Sequence, residues 1–122
     1  APSRGLGDVY KRQLVKSDIL EYCQTQLPSV QSSLVVAADV FGYIGNLAPL
    51  FEALKGRLVC FSVEVLPQDG DYRFNDAGRY QYNQNYVDNL LKTHGFTQVN
   101  KYDVVLRKEN GEDVKGLLYF AK

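Results

Sequence analysis

The sequence predicts a mixed α/β fold with an open sheet in which the last strand runs antiparallel to the others. Apolar runs at residues 34–39 and 57–64 have the composition of strands covered on both faces. Segments with helical spacing alternate with these runs. The chain then ends in two β-rich segments around Asn110-Gly111, a dipeptide typical of a tight hairpin turn. A hairpin reverses the chain, so the final strand must run against its neighbours.

The elements before the first apolar run are a short strand and a helix. Residues 14–16 predict the strand. The segment SDILEYCQTQL follows, with Leu20, Cys23 and Leu27 at helical spacing. Asp18, with a glutamate three residues later, forms a capping-box pattern at the start of this helix.

Two more helices are predicted further along the chain. In NLAPLFEALKG, Asn46 is the expected N-cap, Pro49 lies in the first turn and Gly56 ends the helix. The segment NQNYVDNLLKTHGF predicts a helix that ends at Gly95. Its apolar face consists of Val87, Leu90 and Leu91. Between the second apolar run and this helix lies a long polar segment with aromatic residues.

Composition excludes several classes of function. The 122 residues suit one domain, and a formal net charge of zero does not favour binding to nucleic acid or to an anionic membrane surface. No apolar run approaches the roughly 20 residues of a membrane span. Cys23 and Cys60 lack metal-ligand spacing, so we expect no metal site and two buried, reduced thiols. Reduced thiols favour a cytoplasmic protein.

Acidic residues recur where predicted strands end. Asp18, Asp39 and Glu64 each follow an apolar segment. Ligands of open α/β sheets bind outside the carboxyl ends of the strands, so these carboxylates are candidate binding residues. Acidic residues at such positions also cap the helix that follows, and this alternative stays open.

Four segments together resemble the C-terminal half of class I S-adenosyl-L-methionine-dependent methyltransferases. They are VVAADVFGYIGNLAPLF, GRLVCFSVE, GRYQYNQNYVDNLLKTHGF and VLRKENGEDVKGLLYF, and they occur in the family's order. The resemblance is greatest to predicted methyltransferases that are often fused to tetratricopeptide repeats. It implies a truncated Rossmann-like sheet over residues 14–122, containing the family's strands three to seven with strand seven inserted antiparallel. Strands one and two, with their glycine-rich loop and acidic strand end, have no counterpart after Leu14.

The resemblance also implies roles on the cofactor side. Asp18 matches the position whose carboxylate accepts a hydrogen bond from the adenine amino group, and Ile19 the position against the ring. Asp39 falls where the family's strand four meets cofactor and acceptor, which makes it the candidate catalytic residue. The alternatives are an N-cap role for Asp18 and, for Asp39, a loop carboxylate bound to backbone amides.

Aromatic and basic residues are the candidates on the acceptor side. By resemblance, the acceptor-covering segment carries Arg79, Tyr80, Tyr82 and Tyr86. Phe41 and Tyr43 could hold a cation against their rings, or they could pack beneath the next helix. Family members often have His at the position of Tyr82, and Tyr is a poor base because its ordinary pKa is near 10. The alternative for this segment is a hairpin and a helix start fixed by aromatic packing. His94 is expected at a helix C-terminus rather than in catalysis.

The resemblance therefore predicts a fragment of a methyltransferase that transfers a methyl group to an unknown acceptor, expected to be a small molecule, with the fragment itself inactive. The alternative is a stand-alone, non-catalytic α/β binding module. In that case residues 34–38 would form an exposed apolar sheet edge, which is an aggregation hazard. A nicotinamide-dependent oxidoreductase is disfavoured because the glycine fingerprint is absent.

The first residues differ in character from the rest. SRGLGDVYKRQ, residues 3–13, has no apolar periodicity, and the chain does not begin with Met. The segment is identical to one reading frame of the transposase-end adaptor used in sequencing libraries. We therefore interpret residues 1–13 as a translated adaptor fused to a truncated reading frame, and we exclude them from the fold. A basic flexible arm or a phosphate-binding loop are the rival interpretations.

Overall fold

The computed structural model describes Gln24, residues 34–37 and residues 41–122. The predictions for residues 14–16, Asp18, Ile19, Cys23 and Asp39 lie outside these residues. The strands are β1 (Leu34–Ala37), β2 (Leu58–Glu64), β3 (Tyr72–Phe74), β4 (Tyr80–Tyr82), β5 (Val99–Glu109) and β6 (Glu112–Ala121). The helices are α1 (Ala48–Ala53), α2 (Gln84–Thr93) and a 3₁₀ helix over Phe41–Tyr43.

The main sheet is mixed. Its four described strands have the order β1-β2-β6-β5. β1 and β2 are parallel, while β6 pairs antiparallel with both β2 and β5. Among these strands β6 alone is reversed, so the predicted antiparallel last strand is confirmed. A second sheet consists of the β3–β4 hairpin.

The turn between β5 and β6 lies at the predicted dipeptide. Asn110 and Gly111 have φ angles of 53° and 80°, and Glu109 pairs with Glu112 on either side of them. Positive φ at both central residues is the requirement of a type I′ turn, which Asn and Gly meet at little cost. The Asn-Gly signal therefore predicts this hairpin correctly.

The start of α1 differs from the prediction by one residue. Leu47, rather than Asn46, is the N-cap, and Pro49 lies in the first turn as predicted. Asn46 still contributes to capping this helix, because its Oδ1 accepts a hydrogen bond from the Ala48 amide at 3.1 Å. The side chain thus satisfies an amide at the helix start from one position further out.

Helix α2 has the predicted limits. The Asn83 side chain caps it by accepting a hydrogen bond from the Asn85 amide at 2.8 Å, and Gly95 follows the C-cap with φ of 88°. His94 lies at the C-terminus, as expected, with Nδ1 2.8 Å from the Leu90 carbonyl oxygen. Its Nε2 is 3.5 Å from a carboxylate oxygen of Glu52, so His94 also connects α2 to α1.

The core lies between the sheet and the helices and is built around Phe61. The Phe61 ring stacks on Phe41 at a centroid distance of 4.7 Å and on Tyr119 at 4.9 Å. Both helices contribute to this single cluster, so they pack on the same face of the sheet. Its other buried members include Leu47, Leu50, Phe51, Leu54, Val59, Val63, Val87, Leu91, Phe96 and Leu117.

The prediction that both apolar runs are covered on two faces is wrong for β1 and holds for only part of β2. Leu34 is 47% exposed and Val36 63% exposed, while Leu58 is also exposed on the same face. The connections from β1 to β2 and from β2 to β5 advance in the same direction along the sheet. Right-handed crossovers of this kind place their helices on one face of the sheet. The described residues therefore leave the other face uncovered. Cys60 lies on that other face and is a half-buried free thiol, rather than the buried one predicted.

A β-bulge in β5 lies beside the point where β6 closely approaches β2. The register shifts between Val105 and Arg107, so Leu106 is the extra residue. The Leu106 side chain lies over Gly116, where an added Cβ would be 2.7 Å from Leu106 Cγ and 2.6 Å from the Val63 carbonyl oxygen. Only glycine fits there without a backbone shift.

We expect Gly116→Ala to lower the free energy of unfolding by about 1–3 kcal/mol, because the new methyl group overlaps backbone that cannot easily move. Urea unfolding followed by circular dichroism measures the change. Lys115→Ala, which removes an exposed side chain next to it, is the control and should have little effect. Equal stability of Gly116→Ala and the native chain would contradict the close approach.

Candidate functional site

The candidate site lies around the β3–β4 hairpin, which follows β2 in the chain. The hairpin pairs Tyr72 with Tyr82 and Phe74 with Tyr80. Because side chains alternate along a strand, these four aromatic residues share one face and Gln81 lies on the other. The hairpin therefore has an aromatic face and a polar face, and each contacts a different part of the protein.

Tyr72 is the centre of the aromatic face. Its ring centroid lies 5.8 Å from Tyr80, 6.3 Å from Tyr82 and 5.5 Å from Tyr86 of α2. Phe74 contacts Tyr80 at 5.0 Å. Neither Tyr72 nor Phe74 was predicted as a site residue from the sequence. Their alternation with Tyr80 and Tyr82 around an Asn-Asp-Ala-Gly turn segment is the signal that identifies the hairpin.

Tyr82 anchors the hairpin to the loop after β1. Its side chain is buried, and its hydroxyl donates a hydrogen bond to the Phe41 carbonyl oxygen at 2.5 Å. Burial, reinforced by the neighbouring tyrosines, raises the pKa of Tyr82 well above its ordinary value. Tyr82 is therefore a neutral hydrogen-bond donor at physiological pH.

Tyr86 makes a second connection to the segment before α1. Its hydroxyl accepts a hydrogen bond from the Leu47 amide at 3.1 Å and lies 3.5 Å from Asn46 Oδ1. Burial raises the pKa of Tyr86 as well. Tyr82 and Tyr86 thus hold the hairpin and α2 against the same short stretch of chain.

Gly45 permits the loop after β1 to approach the hairpin closely, whereas Gly42 lies at ordinary contact distance. A Cβ on Gly45 would lie 2.9 Å from Cε1 of both Tyr72 and Tyr80. A Cβ on Gly42 would make ordinary contact with the Arg79 side chain at 3.5 Å. Tyr43 lies between these glycines and is 72% exposed, whereas Phe41 is buried in the core. The alternatives for Phe41 and Tyr43 were binding of a cation and packing beneath the next helix, and Phe41 packs.

Glu64, at the carboxyl end of β2, binds the polar side of the hairpin. Its Oε2 accepts hydrogen bonds from Asn75 at 3.2 Å and from Gln81 at 2.9 Å. Its Oε1 accepts one from Arg107 Nη2 at 2.7 Å. The side chain is only 10% exposed. Both carboxylate oxygens accept hydrogen bonds, so Glu64 is suited to hold other groups in place.

Glu64 belongs to an ionic cluster with Arg79, Arg107 and Glu109. Arg79 Nη2 pairs with Glu109, and Arg107 Nε donates to the same carboxylate at 3.0 Å. Arg79 Nε lies 3.7 Å from Glu64 Oε1, within ion-pair distance but without a hydrogen-bond partner in the described part of the chain. Two carboxylates and two guanidinium groups balance the charge of this cluster.

The structure brings together the residues predicted on the acceptor side and leaves those on the cofactor side outside the described residues. Arg79, Tyr80, Tyr82 and Tyr86 meet at the hairpin, next to the loop that carries Tyr43. Asp18, Ile19 and Asp39 lie beyond the description, and the binding roles of all these residues stay predictions. Sequence patterns gave no signal for Arg107 and Glu109, because their contact with Glu64 depends on tertiary packing.

Within residues 34–37 and 41–122, no group of three or more His, Cys, Asp or Glu side chains is arranged to hold a metal ion. None of the helices described is long and apolar enough to cross a membrane. The chain matches no known protein-family model and no curated protein.

We expect Gly45→Ala to displace the hairpin, because its methyl group would overlap the rings of Tyr72 and Tyr80. The near-ultraviolet circular dichroism of the tyrosines should decrease, and the free energy of unfolding should fall by about 1–2 kcal/mol. Gly42→Ala is the matched control, since its methyl group fits and the loss of unfolded-chain entropy is the same. Identical spectra for the two variants would contradict this role of Gly45.

Stability should also fall at alkaline pH because of Tyr82. Its folded-state pKa is raised, so above pH 10.0 the unfolded chain releases the phenolic proton while the folded chain retains it. The unfolded state then binds fewer protons, and the free energy of unfolding falls by up to about 1.4 kcal/mol per pH unit for this group. Tyr82→Phe should reduce that slope in urea titrations. Equal slopes for Tyr82→Phe and the native chain would refute this linkage.

Proposed function

We propose that residues 14–122 form part of a class I S-adenosylmethionine-dependent methyltransferase domain that methylates a small acceptor. The strand order of the main sheet is the observation that supports it best. β1, β2 and β5 are parallel, and β6 is inserted antiparallel between β2 and β5. The resemblance of the sequence implies the same arrangement, with these strands as the family's four, five, six and seven.

The location of the candidate site is consistent with this proposal. The 3₁₀ helix follows β1 and the hairpin follows β2, so both emerge from the carboxyl ends of neighbouring parallel strands. Ligands of open α/β sheets bind at this edge. The aromatic face and the loop around Tyr43 would then contact the acceptor, with Arg79 and Tyr80 beside them.

The proposed chemistry depends on positioning. S-adenosylmethionine would supply the methyl group, with Asp18 and Ile19 on its adenine and Asp39 near the reacting centre. An in-line displacement requires the acceptor to be held in one orientation and water to be excluded. Tyr82 would contribute by fixing the hairpin, because its hydroxyl is bound to a backbone carbonyl.

The first experiment reads the gene upstream of the Leu14 codon from an assembled genome. We expect a reading frame that encodes a strand, a glycine-rich loop and an acidic end to a second strand, because the cofactor's methionine and ribose need both. A native gene that begins with the codons for residues 3–13 would overturn the adaptor interpretation and would favour the stand-alone binding module.

The second experiment titrates the ¹⁵N-labelled chain with S-adenosylhomocysteine and follows amide shifts by NMR. We expect shifts at residues 39–45 with a dissociation constant of about 1 mM, weak because the sequence lacks the glycine-rich loop. Asp39→Asn should weaken binding, while Asp113→Asn, an exposed residue near the start of β6, should not. Shifts that are absent at about 10 mM ligand, or unaffected by Asp39→Asn, would count against the proposed cofactor site.

A further inference from the structure

The tip of the β3–β4 hairpin buries little apolar surface. Phe74 and the turn residues 76–78 are exposed. Asn75 and Arg79, on either side of the turn, are half-buried. Polar contacts, rather than the hydrophobic effect, therefore hold the tip against the sheet.

These polar contacts converge on the ionic cluster. Asn75 and Gln81 both donate to Glu64 Oε2, and Arg79 pairs with Glu109. Asn75 also organises the turn itself, because its Oδ1 accepts hydrogen bonds from the amides of Ala77 and Arg79 at 3.0 Å each. One side chain thus connects the conformation of the turn to the carboxylate of Glu64.

The base of the hairpin is held differently. Leu66 and Tyr82 are buried there, and the Leu66 amide donates to the Tyr82 carbonyl oxygen at 2.8 Å. Between this base and β3 lie the exposed residues 67–71, which include Gly70 with φ of 113°. The base is therefore fixed by apolar packing, whereas the connection to β3 is exposed and is bound at Asp71, whose carbonyl oxygen accepts a hydrogen bond from the Asn83 amide at 2.8 Å.

The hairpin is too short to keep its structure without these contacts. Each strand has three residues, and an isolated two-stranded hairpin is at best marginally stable in water. Loss of the polar contacts at the tip should therefore lead to local opening, while the main sheet remains folded.

We propose that Glu64 is a positioning residue, and that residues 72–82 form a flap that it holds closed at the edge of the main sheet, beside the loop carrying Gly42, Tyr43 and Gly45. Arg107 fixes the Glu64 carboxylate from β5, and Tyr82 is the fixed end of the flap. Opening of the tip uncovers the surface between the loop and the aromatic face. This inference goes beyond methyl transfer, since the flap would control access for any ligand of that surface.

Hydrogen exchange of the full chain, followed by mass spectrometry under native conditions, tests the flap. In Glu64→Gln, the carboxylate that accepts from Asn75, Gln81 and Arg107 becomes a neutral amide. We expect exchange in peptides covering residues 71–82 to accelerate about tenfold, with exchange in β6 unchanged. Asp113→Asn is the matched control, because it removes a carboxylate from the exposed Lys108 ion pair on the β5–β6 ribbon.

Gln81→Ala is the second variant and keeps the test decisive if Glu64→Gln does not fold. It removes one donor from the flap and leaves Glu64 paired with Arg107, so the ionic cluster retains its charge balance. Faster exchange confined to residues 71–82 in Gln81→Ala would support the proposal. Unchanged exchange in the flap, or equal acceleration in the flap and β6, would overturn it, because Glu64 would then contribute only to overall stability.

Discussion

The aromatic column of Phe41, Phe61 and Tyr119 is the contact on which the other layers depend. It joins the loop after β1, the central strand β2 and the reversed strand β6. Hydrogen bonds connect both ends of this column to other elements. The Phe41 carbonyl oxygen accepts one from Tyr82, and the Tyr119 hydroxyl donates one to Asp88 of α2 at 2.9 Å. A shift of Phe61 would therefore be transmitted to the hairpin at one end and to α2 at the other.

The ionic cluster adds a second, directional constraint at the edge of this apolar core. Charged groups lose hydration when they are partly buried, so each depends on its partners to remain stable there. Glu64 is the least exposed member, and the hydrogen bonds it accepts come from both the hairpin and β5. Apolar packing thus sets where β2 lies, and the cluster sets where the hairpin lies relative to β2.

Local sequence signals predicted the features that local energetics determine. The Asn110-Gly111 turn, Pro49 in the first turn of α1 and the end of α2 at Gly95 all follow from backbone preferences of single residues. Features that depend on distant chain segments were either not predicted or predicted wrongly. The uncovered face at Val36 reflects how the helices are distributed over the sheet. The contact between Glu64 and Arg107 joins residues 43 positions apart. Arg107 comes directly after a β-bulge that the sequence pattern does not reveal.

The geometry also restricts how acid–base chemistry could occur at the candidate site. Tyr82 is held as a neutral donor to a backbone carbonyl, and both oxygens of Glu64 are occupied by donors. As a neutral donor, Tyr82 is not available to remove a proton from an acceptor. The proposed methyl transfer then needs an acceptor whose nucleophile is already deprotonated near neutral pH, or another group that takes its proton. Asp39 is the carboxylate that the sequence offers for that second route, since it follows β1 directly before the 3₁₀ helix.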